Sequence, residues 1–311
     1  MLLLRHFDGA GRRLRSPVLT LGNFDGVHVG HQRILSRLVE RARENQSNSV
    51  VLTFQPHPAA VLAPDRAPPL ITNLRARVER IASAEVDAVL IQRFTAKFSR
   101  VTAEDFIRRF LVEELRVREV VVGHRVTFGH QRAGGAELLR RLGGECGFGV
   151  EVIGPVAVDG IEVSSSAVRR SIVAGDLSGA QKLLGHAVGV NGRVVHGHHR
   201  GKTLGFPTAN LRVAGLVLPP DGVYAVRVRI GEEHYGGVAN LGKRPTFGEN
   251  ERGLESFIFD YDGDLYGRII DVSFVRQLRG EIKFSGPQAL IEQIRRDVDA
   301  AREVLANASP Q

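Results

Sequence analysis

A chain of 311 residues with 43% hydrophobic and 24% charged side chains has an ordinary globular balance and room for two domains. Its single cysteine, Cys146, excludes an internal disulfide framework and fits a reducing cytoplasm; Met1-Leu2-Leu3-Leu4, broken by Arg5, His6 and Asp8, is read as neither signal peptide nor membrane anchor. The net charge of +8 is scattered among interleaved acids, and aromatics are only 6%, so the pattern points away from nucleic acid and towards phosphorylated small ligands.

The apolar run Val18 to Leu21 predicts a buried strand, and Gly22, Asn23, Asp25, Gly26 and Gly30 make a turn after it. From about Gly30 the period changes: Ile34, Leu35, Leu38, Val39 and Ala42 fall on one face of a helix. His28 and His31 therefore sit at a helix N-terminus, where free N–H groups and the helix dipole favour an anion. Two imidazoles there suit a nucleotide's phosphates and the charge that develops on leaving pyrophosphate. A partial metal site and a solvated turn are the other readings of the pair, and the strand–turn–helix context favours phosphate.

Next come a strand at Val50 to Phe54, the stiff loop Pro56-His57-Pro58, a proline-rich loop from Ala63 to Pro69, and a helix at Leu74 to Ala82. A strand at Val86 to Ile91 precedes a helix opened by Thr102 and Asp105 and running through Leu115. The strand Glu119 to Val122 ends in Gly123-His124; a helix near Glu137 to Leu142 and a strand near Val150 to Ile153 follow. Such alternation predicts a parallel sheet wound with helices, with ligands at the strands' carboxyl ends. Ser164, Ser165 and Ser166 are natural caps of another helix, which carries Arg169 and Arg170 one turn along as further grips on phosphate. A short helix, Asp176 to Leu184, ends at Gly185, and the domain boundary is placed there: 1–185 and 186–311.

Beyond it the chain reads as short strands at 188–195, 222–230, 235–240, 254–260 and 269–275, predicting an antiparallel barrel. A final helix from Pro287 presents Leu290, Ile291, Ile294, Val298, Ala301 and Leu305. The tripeptide Gly201-Lys202-Thr203 is not a phosphate-binding P-loop, because that pattern needs glycine where His196 stands. Its glycines and Lys202 can still approach phosphate. Behind Pro207, Thr208 and Asn210 of an extended segment share a face, so their oxygens can hold one hard cation such as Mg²⁺. Turn and strand-edge roles for the pair stay open, as do two readings of Glu255: an exposed strand carboxylate, or a base towards a substrate hydroxyl.

Together these stretches resemble the bacterial bifunctional riboflavin kinase/FAD synthetase family over essentially the full chain. The residues that carry the resemblance are Gly22 to His31, Pro56-His57-Pro58 and Val163 to Ser166 in the first half. In the second they are Gly205 to Asn210, Arg244 to Gly248, Glu255-Ser256-Phe257 and Asp264 to Gly267. The resemblance implies a nucleotidyltransferase-type α/β domain that adenylates FMN to FAD, then a β-barrel with a terminal helix that phosphorylates riboflavin to FMN. ATP would be gripped in the first by Gly22, Phe24, His28, His31, Ser164, Ser165, Ser166 and Arg169, with the two histidines catalytic. In the second it would lie against Gly197, Lys202, Gly205, Pro207 and Thr208, with Mg²⁺ on Thr208 and Asn210 and Glu255 as base. Leu278, Arg279 and Glu281 would lie in a loop near the flavin. Arg125 and Val126 stand where the family usually has Asn and Phe, Ser166 replaces its Thr, and Ala167 an Arg that often follows. The alternative expectation is therefore a riboflavin kinase whose first domain has weakened or serves as scaffold or regulator; a flavin- or nucleic-acid-binding regulator is a third. No oligomeric state is implied.

Overall fold

A computed structural model describes residues 1–196, 206–243 and 252–308. They pack as two units, 1–69 with 74–165, and 70–73 with 166–311. No helix among the described residues is long and apolar enough to cross a membrane.

The first unit is built on six parallel strands in the order β1-β4-β3-β2-β5-β6. They are β1 (Leu2–Arg5), β2 (Val18–Leu21), β3 (Ser49–Gln55), β4 (Ala88–Arg93), β5 (Glu119–Gly123) and β6 (Gly149–Ile153). Central β2 is buried at all four positions, as a strand covered on both faces must be. Alternate residues serve opposite cores. Val18, Val51, Val89 and Val121 meet Leu35, Leu38, Val39 and Ala42 of helix α1 (Val29–Glu44). Leu19, Leu52, Leu90 and Val120 meet Ile107 and Leu111 and the residues Leu139 and Leu142 of α5 (Ala136–Cys146). Between these helices in sequence lie α2 (Pro58–Leu62), α3 (Leu74–Ala82) and α4 (Ala103–Asp105), which continues over Phe106–Glu114 in wider turns; Thr102 Oγ1 caps α4 on the Asp105 N–H, as its sequence predicts.

The chain winds from β2 through β3 to β4 on one side and returns to place β5 on the other. The carboxyl ends of β2 and β5 therefore flank the point where the winding reverses, the usual ligand position in such sheets.

Three short pieces escaped the periodicity. Strand β1 is an edge strand of four residues, read only as an apolar start cut short by Arg5; it pairs Leu2 to Ala88 through Arg5 to Ile91. The expected loop at 63–69 contains a helical turn, Pro64–Arg66. A two-residue hairpin, β7 (Ala157–Val158) with β8 (Ile161–Glu162), is too short to show alternation.

The second unit contains α6 (Ser165–Val173) from its second residue onward, α7 (Leu177–Leu184) and a closed antiparallel barrel in the order β10-β13-β12-β11-β14-β9. Its strands are β9 (Gly189–Val195), β10 (Thr208–Arg212), β11 (Gly222–Ile230), β12 (Glu233–Lys243), β13 (Arg252–Ile258) and β14 (Ile269–Arg279). Leu211, Leu241, Leu254, Ser256 and Ala239, all fully buried, share the inner face. The terminal helix α8 (Pro287–Asn307) covers the outer face, packing Ala301 and Val304 on Val223, Ala225, Val238 and Phe259. Its buried stripe differs from the expected one. Leu290, Ile291 and Ile294 are only half-buried, while Asp297 and Val304 are buried. The reason is polar: Arg279 at the end of β14 donates from Nε and Nη2 to the Asp297 carboxylate, at 3.0 and 2.7 Å, and Gln293 adds a third donor.

Candidate functional sites in the two units

In the first unit, β2 delivers its chain into a turn whose last residue before α1 is His28. The His28 Nδ1 accepts the His31 N–H at 3.2 Å, so one of the two histidines caps the helix start. Their rings stack with centroids 3.6 Å apart and planes 11° from parallel. At Gly30, between them, space is tight: a Cβ would stand 3.2 Å from His28 Nδ1. Phe24, at φ 50°, holds its ring 5.0 Å from that of His31. Burial first, then the neighbouring His28 and the Arg77 cation, hold the His31 imidazole well below its ordinary pKa. Its Nδ1 is buried without a hydrogen-bond partner.

These rings line a cavity of about 1000 Å³ at the carboxyl end of the sheet. Gly22, Phe24, His28, His31, Ser164 and Ser165 all face it, as does His57. Ser165 Oγ donates to the Asp25 carbonyl at 3.0 Å, tying the start of α6 to the turn after β2. His57 caps α2 by accepting the Ala59 N–H. Ser166 and Arg169 follow along α6, and neither is among the residues lining the cavity.

The far wall includes residues that periodicity did not single out for function. After β5 the segment carries His124, Arg125, Val126 and Phe128 into the cavity. Glu162 of β8 faces the same space and meets both neighbours, the Arg125 guanidinium through Nη2 at 2.6 Å and the His124 ring through Nε2 at 3.2 Å. Phe128 lies flat against Gly134, where a Cβ would stand 2.5 Å from its ring, and exchanges both backbone hydrogen bonds with it. Phe98 and Phe106 continue the apolar lining.

In the barrel, register assembles the second site. Asn210 of β10 is directly opposite Glu255 of β13, which is directly opposite Asn240 of β12; Val223 and Arg279 continue the row. Opposite residues of antiparallel strands share a face, and Val223 lies beneath α8, so the row is on the outer wall. Thr208, two residues before Asn210, shares that face. Glu255 is half-buried, neither fully exposed nor sealed in. Among the described residues the buried Asn210 Oδ1 has no hydrogen-bond partner, and its Nδ2 donates to the Thr208 carbonyl at 3.5 Å. An orphaned amide oxygen beside a hydroxyl and a carboxylate is a donor set for a hard divalent cation, so the residues present fit one. Asn240 went unnoticed in the sequence because an asparagine near a strand's end carries no distinctive signal.

Leu278 and Arg279 are not in a loop: they end β14, where Leu278 packs against the α8 core and Arg279 binds Asp297. Glu281 lies beyond the strand with its carboxylate over Gly242. Gly197, Lys202 and Gly205, with the segment Arg244 to Gly248, lie outside the described residues.

A helix start capped by paired histidines at the switch point of a parallel sheet, followed by a closed barrel with Asn210 and Glu255 opposite each other on its wall, gives the chain two candidate sites of the kind a two-domain transferase needs. The family model for FAD synthetase matches residues 11–167, and that for riboflavin kinase matches 184–305. A bifunctional riboflavin kinase/FMN adenylyltransferase of Escherichia coli K12 is 42% identical over 94% of both chains. The Haemophilus influenzae protein of the same description is 38% identical, covering 97% of this chain and 98% of its own. A solved structure described as a macrolide-efflux protein from Streptococcus pneumoniae superposes with a TM-score of 0.82 at 30% identity, covering 99% of this chain and all of that one. The chain belongs to the bifunctional riboflavin kinase/FAD synthetase family.

Proposed function

We infer that the protein makes flavin cofactors in two ATP-dependent steps, phosphorylation of riboflavin to FMN and adenylation of FMN to FAD with release of pyrophosphate. Membership of the family supports this, and both family models match in one chain. The alternative, a kinase with an idle first domain, is not favoured, since the FAD synthetase match runs the length of that domain. We assign adenylation to residues 1–185 and phosphorylation to 186–311; the kinase match beginning at 184 supports that division. The single cysteine and the family's chemistry support a cytoplasmic setting.

One observation carries the adenylation site: the stacked His28–His31 pair at the start of α1, facing the cavity. An FMN phosphate oxygen attacks the α-phosphorus of ATP in line, the bond to pyrophosphate breaks, and no covalent enzyme intermediate is needed. Gly22, Phe24, Ser164 and Ser165 position the nucleotide. His31 is neutral in the free protein and becomes a hydrogen-bond donor at both nitrogens as negative charge arrives. Both histidines then donate to charge that grows on the leaving group, which is where such donors lower the barrier.

In the kinase site Glu255 takes the proton of the riboflavin hydroxyl as that oxygen attacks the γ-phosphorus and the bond to the leaving ADP breaks. Thr208 and Asn210 hold Mg²⁺, which when bound neutralises charge on the phosphates. Pro207 fixes the approach to β10. The flavin is placed against the end of β14, near Leu278, Arg279 and Glu281. Incubating purified protein with riboflavin and Mg-ATP and separating FMN and FAD chromatographically tests the whole reading. Formation of FMN alone would return the first domain to a scaffold.

A further inference from the structure

We infer that Arg77 is a positioning residue for adenylyl transfer: from α3 it fixes, at one spacing, the turn that leads to His28 and the end of β3 that leads to His57. The inference rests on the reading of the His28–His31 site as the site of that reaction. Arg77 is 1% exposed, the largest fully buried side chain in the described protein. It occupies a stripe position of its helix, among Leu74, Val78 and Ile81, where an apolar residue is the ordinary choice.

Its two Nη groups donate to carbonyl-type oxygens in the turn after β2 and at the end of β3, while its Nε is buried with no hydrogen-bond partner among the described residues. Nη1 donates to the Asn23 carbonyl at 2.8 Å, in the turn after β2 that leads to His28. Nη2 donates to the Phe54 carbonyl and to Gln55 Oε1, both at 3.2 Å, at the end of β3 just before His57. Thr53 Oγ1 also reaches the Asn23 carbonyl, at 3.3 Å, and the Gly22 N–H donates to the Leu52 carbonyl, so the turn is anchored to β3 along its length. Only a planar fork can serve acceptors on both loops at once; a lysine ammonium is a single point.

For stability alone the arrangement is a poor bargain. Burial disfavours the charged guanidinium and is its largest perturbation, with the Asp25 carboxylate opposing it. Apolar residues of similar volume usually serve a buried position as well or better. The same cation acts on His31. Asp25, Arg77, His28 and His31 thus form one electrostatic group beneath the helix start, and Arg77 is its hinge pin.

Arg77→Met and Arg77→Lys, made in the full chain, test this, with riboflavin phosphorylation in the same preparation as the internal control. In R77M the kcat for FMN adenylation should fall about 10²-fold, the scale of a displaced reacting group, with a smaller change in KM for ATP. R77K keeps a cation but not the bridge, and should fall between R77M and wild type. Circular dichroism confirms folding, and if R77M does not fold, R77K alone decides. Unchanged ratios of adenylation to phosphorylation in the folded variants overturn the inference, as does a parallel rise in KM with kcat intact. His31→Asn separates the two ways of failing. If it also spares adenylation, the site reading falls and Arg77 with it; if it abolishes adenylation while the Arg77 variants do not, the positioning role alone falls.

Discussion

Asn210 and Glu255 face each other across the β10–β13 ladder, an orphaned amide oxygen beside a half-buried carboxylate. The proposed cation ligand and the proposed base thus stand on adjacent strands of one sheet. Glu255→Gln should lower FMN formation by about 10²–10⁴-fold, the usual loss with a general base. Asn210→Ala should suppress it through metal affinity, with partial recovery at high Mg²⁺. In both variants adenylation of supplied FMN should persist, measured as FAD by chromatography. Equal loss of both activities would contradict the assignment.

The Arg125–Glu162 contact predicts how the departure from the family's asparagine behaves. Arg125 is committed to a carboxylate rather than to ligand phosphate, and the pair is largely exposed at the cavity wall. Glu162→Gln should free the cation and lower KM for FMN severalfold at low ionic strength, with the gain fading as salt screens it. Arg125→Asn should change FAD formation through KM, leaving FMN formation untouched. A changed kcat at constant KM in Arg125→Asn would instead mean a contact made in the transition state.

His31 gives a pH dependence with a definite sign. Its pKa lies below the unfolded value of 6.5 because of burial, His28 and Arg77. Below about pH 6.5 the unfolded chain binds a proton that the folded ligand-free domain does not. Stability is therefore fully present above 6.5 and declines as pH falls, with a limiting slope of about 1.4 kcal/mol per pH unit for one group. His31→Asn should flatten that part of the profile in urea titrations at pH 5–7. Bound ATP should reduce the slope too, since polyphosphate favours the protonated ring.

Asp297 carries the fourth prediction. Its carboxylate is 6% exposed and takes three hydrogen bonds from the Arg279 guanidinium, Nε donating to both oxygens. Asp297→Ala leaves Arg279 without its counter-charge and should cost the barrel about 3 kcal/mol, read as a lower urea midpoint. Replacing both residues by apolar ones should recover much of that. A single-variant loss below about 0.5 kcal/mol would place the pair among ordinary surface contacts.

Much of this architecture was legible in the residues themselves. The change from a continuous apolar run at Val18–Leu21 to a 3.6-residue period from about Gly30 located β2, its turn and α1, because buried strands and amphipathic helices leave different signatures. Thr102, Asp176 and Gly185 announced helix ends through local chemistry. What failed was short or non-local. Strand β1 and the β7–β8 hairpin have too few residues for a period, and the buried face of α8 follows a salt bridge 18 residues away in sequence. The rank of Asn210, Glu255 and Asn240 depends on register, which sequence spacing does not contain. Arg77 did leave a trace, a charge inside an apolar stripe, and only the carbonyls around it show what that charge does.

The barrel's filled interior has a further consequence. Leu211, Leu254, Leu241 and Ser256 hold the cylinder together from inside, while the chemistry proposed for Asn210 and Glu255 sits on the outer wall. Durability and turnover thus draw on opposite faces of the same strands. Lineages living at different temperatures can retune one face by alternate-residue substitution and leave the other unaltered, so adaptation to heat need not be bought with catalytic rate.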